Sequence, residues 1–295
     1  MKPIFTLLLV LCTFTAVTQV CYNLSANYDE LKMAHLAGPV RTIVVRMYDT
    51  VENPGGGACA FDSASFNEQG KCLYHKWTGH NSYSDTETNL YHYMANGLLD
   101  KIDIYIHSPH GKRERSVSQS IYDGRGRLIE WYEMPKKKWV HTITYNDSGQ
   151  ELVKAHYVLK KGHIAPVAKA GIVTTTQLAK DYSLNFKVTN IYENGRLTGD
   201  VLYDPSGYTG PTSLYCTKDE QGNDIAMNDH KGSETASTYD EHGTEISNWS
   251  KSPSGSEFRK RFVPGDFDEQ GNYRRIEVWV NEELAGLALR QITYW

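Results

Sequence analysis

The chain has 295 residues, 40% hydrophobic, 12% aromatic and 22% charged, with a formal net charge of −4. That length is enough to bury roughly 70–75% of the surface an unfolded chain exposes, so a substantial core is expected. A net-acidic chain offers no broad basic field for nucleic acid, and none is expected as a partner.

The N-terminal residues read as a separate element. Lys2 precedes an apolar run of 14 residues, Ile4 to Val17. A membrane-spanning helix needs about 20 residues, whereas the apolar part of a secretory signal takes roughly 7–15. The expectation is a signal peptide over 1–21, cleaved between 16 and 26, and a mature domain over 28–295. The product would be periplasmic, outer-membrane-associated or extracellular. Cys21 stands where a lipoprotein carries its acylated cysteine, although Val20 is not the small residue that lipidation favours. A lipid anchor on Cys21 and ordinary cleavage nearby are both open, and the anchor is the one membrane attachment expected. Cys12, Cys59, Cys72 and Cys216 lack the paired C-x2-C spacing of a zinc site. For Cys59 and Cys72, a bridge and buried free thiols are both open.

Beyond the signal one pattern recurs: an aromatic residue, Asp or Asn, two residues, then glycine. It appears at Phe66 (FNEQG), Tyr122 (YDGRG), Tyr145 (YNDSG), Tyr203 (YDPSG), Tyr239 (YDEHG) and Phe267 (FDEQG). Looser copies start at Tyr93, at Tyr192 (one residue shorter) and at Lys218. The physical content is a turn. Asp123, Asp240 and Asp268 can each accept a hydrogen bond from their own backbone two residues on. Gly70, Gly97, Gly126, Gly149, Gly207, Gly222, Gly243 and Gly271 supply the positive φ that hairpin loops require. The leading aromatics, such as Tyr122 and Tyr239, are expected to pack beside their turns.

The flanking segments have the period of strands. Trp139–Tyr145 sets Trp139, Ile143 and Tyr145 against Val140, Thr142 and Thr144. Arg275–Val280 sets Ile276, Val278 and Val280 against Arg275, Glu277 and Trp279. Basic runs at Lys112–Arg115 and Lys136–Lys138 are read as exposed turns. The predicted fold is all-β: a long antiparallel meander of hairpin repeats forming an extended or curled sheet. Residues 163–187 carry no motif glycine and suggest a short helical or loop insertion. Two lobes meeting near 160–190 and one continuous sheet with an insertion are both open.

Tyr122, Asp123, Gly126, Arg127 and Leu128 resemble the Y-D-x-x-G-R-L core of YD repeats, the units of the Rhs family. The segments Leu36–Asp49 and Phe267–Trp295 resemble the two ends of small exported YD-repeat-like bacterial proteins. The resemblance, which covers Leu36 to Trp295, implies an extracytoplasmic β-repeat protein of a kind often labelled sugar-binding. One copy is near perfect and the others are degenerate, and the many tandem units and C-terminal toxin of the large members are missing, which argues against an encapsulating shell.

No nucleophile elbow, H-E-x-x-H, P-loop or dinucleotide fingerprint occurs, and no catalytic residue, cofactor or metal is assigned. The leading function is a non-catalytic binding or scaffolding module for a glycan or surface protein. The alternatives are a carbohydrate-active enzyme, which needs two converging carboxyls, and a purely structural surface protein. The candidate binding surface is aromatic: Trp131, Tyr132 and Trp139 around one hairpin, with Trp279 and Trp295 near the end.

Overall fold

The computed structural model describes residues 36, 38–48, 60–78, 85–111, 113–134, 139–163, 175–205, 212–229, 232–240 and 245–295. The signal segment, Cys21, Cys59, Gly207 and Gly243 lie outside the described residues. Eighteen strands follow one another: β1 (Val40–Tyr48), β2 (Ala60–Phe66), β3 (Cys72–Thr78), β4 (Thr86–Tyr93), β5 (Leu99–His107) and β6 (Arg113–Tyr122). Next come β7 (Leu128–Met134), β8 (Trp139–Tyr145), β9 (Glu151–Leu159), β10 (Tyr182–Glu193), β11 (Arg196–Asp204) and β12 (Thr212–Lys218). The last six are β13 (Asp224–Asp229), β14 (Glu234–Tyr239), β15 (Glu245–Lys251), β16 (Glu257–Phe267), β17 (Tyr273–Val280) and β18 (Glu283–Tyr294). A single short helix, α1 (Thr175–Asp181), precedes β10 among the described residues.

Every strand pairs antiparallel with the next, and β18 pairs with β1 from Tyr48↔Leu287 to Val40↔Tyr294. The all-β expectation therefore stands, but the extended or curled sheet does not: the meander closes into an 18-stranded barrel. The physical reason lies at the ends. An open meander of this length leaves two rows of unpaired backbone groups, and closure removes them. Both terminal strands carry apolar residues on one face, Ile43 and Met47 opposite Ile292 and Ala288, with Val45 opposite the buried Arg290, so pairing them also completes a core. The sheet is continuous through the region of the predicted insertion, because β9 and β10 pair from Leu159↔Tyr182 to Val153↔Thr189.

Burial identifies the inner face. In β1, Ile43, Val45 and Met47 are 1–2% exposed while Arg41 and Arg46 are open to solvent. The same alternation marks Ala60, Ala64 and Phe66 in β2 and Ile276, Val278 and Val280 in β17. These residues, with Phe262 and Tyr91, form the main core across β16–β18 and β1–β4. A second, smaller core is on the outer face. Tyr132, Val140 and Tyr182 are packed there against Ile121, Met134 and Leu178, so α1 covers the wall of β6–β10.

The repeat motif builds one rim of the barrel. Strand pairs from β2/β3 to β16/β17 are joined there. In five-residue loops such as Asp123–Arg127, the N–H of Asp123 donates to Arg127 O at 2.9 Å and that of Gly126 to Asp123 O at 3.0 Å. Asp123 Oδ1 accepts from the N–H groups of Arg125 and Arg127. Asp268, Asp219 and Asn67 do the same in their turns. Gly126 sits at φ +78°, which an L side chain adopts only with strain. The shorter copy at Tyr192 becomes a two-residue Asn194-Gly195 turn with both residues at positive φ. Tyr203 belongs instead to the opposite rim, where β11 leads into β12.

The leading tyrosine links neighbouring units. Tyr93 Oη donates to Cys72 O, Tyr122 to Leu99 O, Tyr145 to Leu128 O and Tyr192 to Glu151 O, all at 2.8 Å, and Tyr239 to Asp224 O at 2.9 Å. Each acceptor is the residue paired across the preceding turn with that unit's own leading residue: Phe66, Tyr93, Tyr122, Tyr145 and Lys218. A register shift occurs at each of these positions. The residue after the motif glycine reaches forward as well. Lys71 Nζ donates to Gly97 O, and the Arg127 guanidinium lies 4.4 Å over the Tyr145 ring while pairing with Asp123. The rim is thus a chain of contacts between consecutive repeats, which accounts for the Y, D, G and R of the motif together.

Candidate functional site

A cleft of about 450 Å³ opens among β15, β16 and β17, lined by Trp249, Trp279, Arg259, Arg261, Ser247 and Glu282, with Asn248 and Lys260. The register explains its composition. Arg261 stands opposite Ser247 on one side and Trp279 on the other, and Arg259 stands opposite Trp249. These residues share the outer face, the inner positions of the same strands being held by Phe262, Val278 and Val280. Two indoles therefore flank a strand that carries two guanidinium groups.

Carboxylates on the same face hold the indole N–H groups. Trp249 Nε1 donates to Glu257 Oε2 at 3.3 Å, and Trp279 Nε1 to Glu277 Oε2 at 3.1 Å. Glu277 also accepts from Arg275 at 2.6 Å, and Glu257 pairs with Arg259 at 3.4 Å. The indole N–H of Trp249, with Arg259 behind it, holds the Glu257 carboxyl below its ordinary range. The Arg261 guanidinium lies 5.1 Å over the Trp279 ring. A site of this size, with aromatic walls and a few placed polar groups, falls in the range of small-ligand clefts.

The five aromatic residues singled out in the sequence do not share one surface. Trp279 lines the cleft. Tyr132 is 2% exposed and belongs to the core beneath α1. Trp131 faces inward, its ring stacked on His141 at 4.0 Å, with His156 stacked on His141 at 4.2 Å and Phe186 beyond. Trp139 is exposed at the rim opposite the motif turns. Trp295 is exposed at the motif rim, under the Arg41 guanidinium. Trp249 was missed, because only the β15–β16 register brings it to Trp279's face.

Other polar clusters are already self-satisfied or enclosed. Asp200, Cys216 and Asp224 lie close enough to hold a cation, but the Lys218 ammonium pairs with both carboxylates, 3.0 Å from Asp200. Burial, followed by the two aspartates, pushes the Cys216 thiol up to about 12 and keeps it protonated. Cys72 and Cys216 are free thiols. Inside the main core, His75 Nε2 is 3.0 Å from Asp62 Oδ1 with both residues buried. The motif carboxylates Asp123, Asp219 and Asp268 each accept hydrogen bonds within their own turns. Of the basic run at 112–115, Arg113 and Arg115 are exposed as expected but belong to β6 and not to a turn, Arg115 reaching Asp103 at 3.3 Å; Lys112 and the run at 136–138 lie outside the described residues.

No protein-family model matches the chain, and no curated protein matches it. Among solved structures, a porin-like protein from Bacteroides uniformis is 11% identical over 87% of this chain and 99% of that chain, with a TM-score of 0.42. The TcdB2-TccC3-TEV structure is 13% identical over 77% of this chain, with a TM-score of 0.29. This chain spans 12% of the length of that one.

Proposed function

We propose that this chain is an exported YD-repeat-type barrel that acts as a non-catalytic glycan-binding module, with the sugar seated between Trp249 and Trp279. The observation that carries the reading is the pair of indoles on one outer face, about a cleft of about 450 Å³ supplied with guanidinium, hydroxyl and carboxylate groups. The apolar face of a pyranose stacks on an indole, while its hydroxyls need both donors and acceptors. Arg259, Ser247 and Glu282 provide these.

The outer surface favours a barrel in water over one in lipid. Arg46, Lys76, Lys187 and Arg261 point outward from within their strands at separate positions around the ring. A lipid-facing Arg or Lys costs about 2–4 kcal/mol at mid-membrane. Nor is the wall of the main core that of a wide aqueous channel, since Val40, Ile43 and Phe66 are 0–1% exposed.

The test is a glycan array with the purified barrel, followed by calorimetry on its hits. Trp279→Ala and Trp249→Ala are expected to weaken binding about tenfold each, the value of one aromatic platform. Trp139→Ala and Trp295→Ala, remote from the cleft, are expected to bind as the parent does. An array without signal, or a Trp249/Trp279 double variant that binds normally, would remove the proposal.

A further inference from the structure

The charge of the cleft runs against that of the chain. Its outward cations are Arg259 and Arg261, against Glu282 as its one acidic lining residue, in a protein whose net charge is −4; Lys260, opposite Asn248 and Val280, is buried on the inner face. The two arginines differ in what they already hold. Arg259 shares the Glu257 carboxylate with the Trp249 indole. Arg261 is exposed, and among the described residues it is engaged with the Trp279 ring and with no carboxylate. Its guanidinium is thus a planar, permanently charged donor beside an indole face, the geometry that recognises planar or tetrahedral oxyanions.

Resting on the glycan-binding reading, we infer that the cleft selects acidic saccharides, sugar rings bearing a carboxylate, sulfate or phosphate. The ring sits between Trp249 and Trp279, and its acid group accepts hydrogen bonds from the Arg261 guanidinium that lies over the Trp279 ring. Arg259 is second in line, because taking a ligand oxyanion means competing with Glu257. Glu282 stands at the lip, an exposed residue of the β17–β18 turn at φ 69°. It disfavours an acid group at that end and so gives the bound sugar a direction.

The experiment uses matched probes. Oligogalacturonate is compared with its methyl ester, a sulfated galactan with its desulfated form, and a phosphomannan with mannan, each titrated into the full barrel at 150 mM salt; poly-glutamate serves as a non-sugar polyanion. At least one acidic form is expected to bind ten or more times tighter than its neutral partner, and the identity of that pair names the oxyanion. Arg261→Gln is expected to reduce the acidic-to-neutral preference below threefold, and Trp279→Ala to weaken both forms. Acidic selectivity is overturned by equal binding within every pair, by an Arg261→Gln variant that keeps the preference, or by poly-glutamate binding as tightly as the best sugar. Equal binding still leaves glycan recognition standing, whereas a barrel that binds neither form of any pair overturns both readings.

Discussion

The stacked rings on the inner wall make the barrel sensitive to mild acid. Burial, then the neighbouring His156 and Lys154, lowers His141 from its ordinary 6.5 to about 3. Between those values the unfolded chain binds a proton at this position and the folded chain does not. Unfolding therefore takes up protons, and stability is complete above pH 6.5 and lost as the pH falls below it. The slope is about 1.4 kcal/mol per pH unit, so acidification to pH 5 removes roughly 2 kcal/mol through His141. His156, also lowered by burial, acts in the same direction. The comparison is urea unfolding at pH 7.5 and pH 5.0 for the parent and for His141→Phe, which keeps a ring between Trp131 and His156 without the titrating nitrogen. The parent should lose about 2 kcal/mol more than the variant on acidification. Equal losses in the two proteins would mean that the stack does not hold His141 neutral, and the reasoning would fail.

The rim yields a graded series of three. Tyr122→Phe removes the hydroxyl bond to Leu99 O and is expected to cost about 1 kcal/mol in chemical denaturation. Gly126→Ala, forced into the left-handed region with its nearest neighbour at 3.7 Å, is expected to cost about 1–2 kcal/mol from backbone strain alone. Gly97→Ala should cost slightly more, since the Lys71 ammonium, 2.3 Å from the added methyl, has to swing away and give up its bond to Gly97 O. At the closing seam, Ile43→Ala is expected to lose 2–5 kcal/mol, read from the same unfolding curves. Lys218→Met, which strips the shared cation from Asp200 and Asp224, is expected to lose about 3 kcal/mol at pH 7 and recover part of it at pH 4, where the carboxyls can be protonated.

The glycine corners could be read directly, because Asx turns and positive φ are local chemistry. Gly70, Gly97, Gly126, Gly149, Gly222 and Gly271 all stand at positive φ in turns. Closure could not be read this way, because pairing β1 with β18 joins residues some 250 apart, and nothing local distinguishes a closing strand from an edge strand with one apolar face. For the site, Trp279 was visible as an outward residue of a clear period-two strand. Trp249 sits in a polar strand, Glu245–Lys251, whose burial is uniformly intermediate, and only cross-strand register assigns its face. Tyr132 and Trp131 were separated for the same reason: adjacent in sequence, they point to opposite sides of the wall, one under α1 and the other onto His141.

Because its last strand is bonded to its first, this array cannot grow or shrink as open tandem arrays do. Removing one hairpin would narrow the circumference and change the tilt of every remaining strand, so the fold counts its units even where their sequences have drifted. Lys218 in place of the leading aromatic, and the shortened Asn-Gly corner, are what such a constraint leaves free: a copy may lose its signature residues, but not its place in the ring.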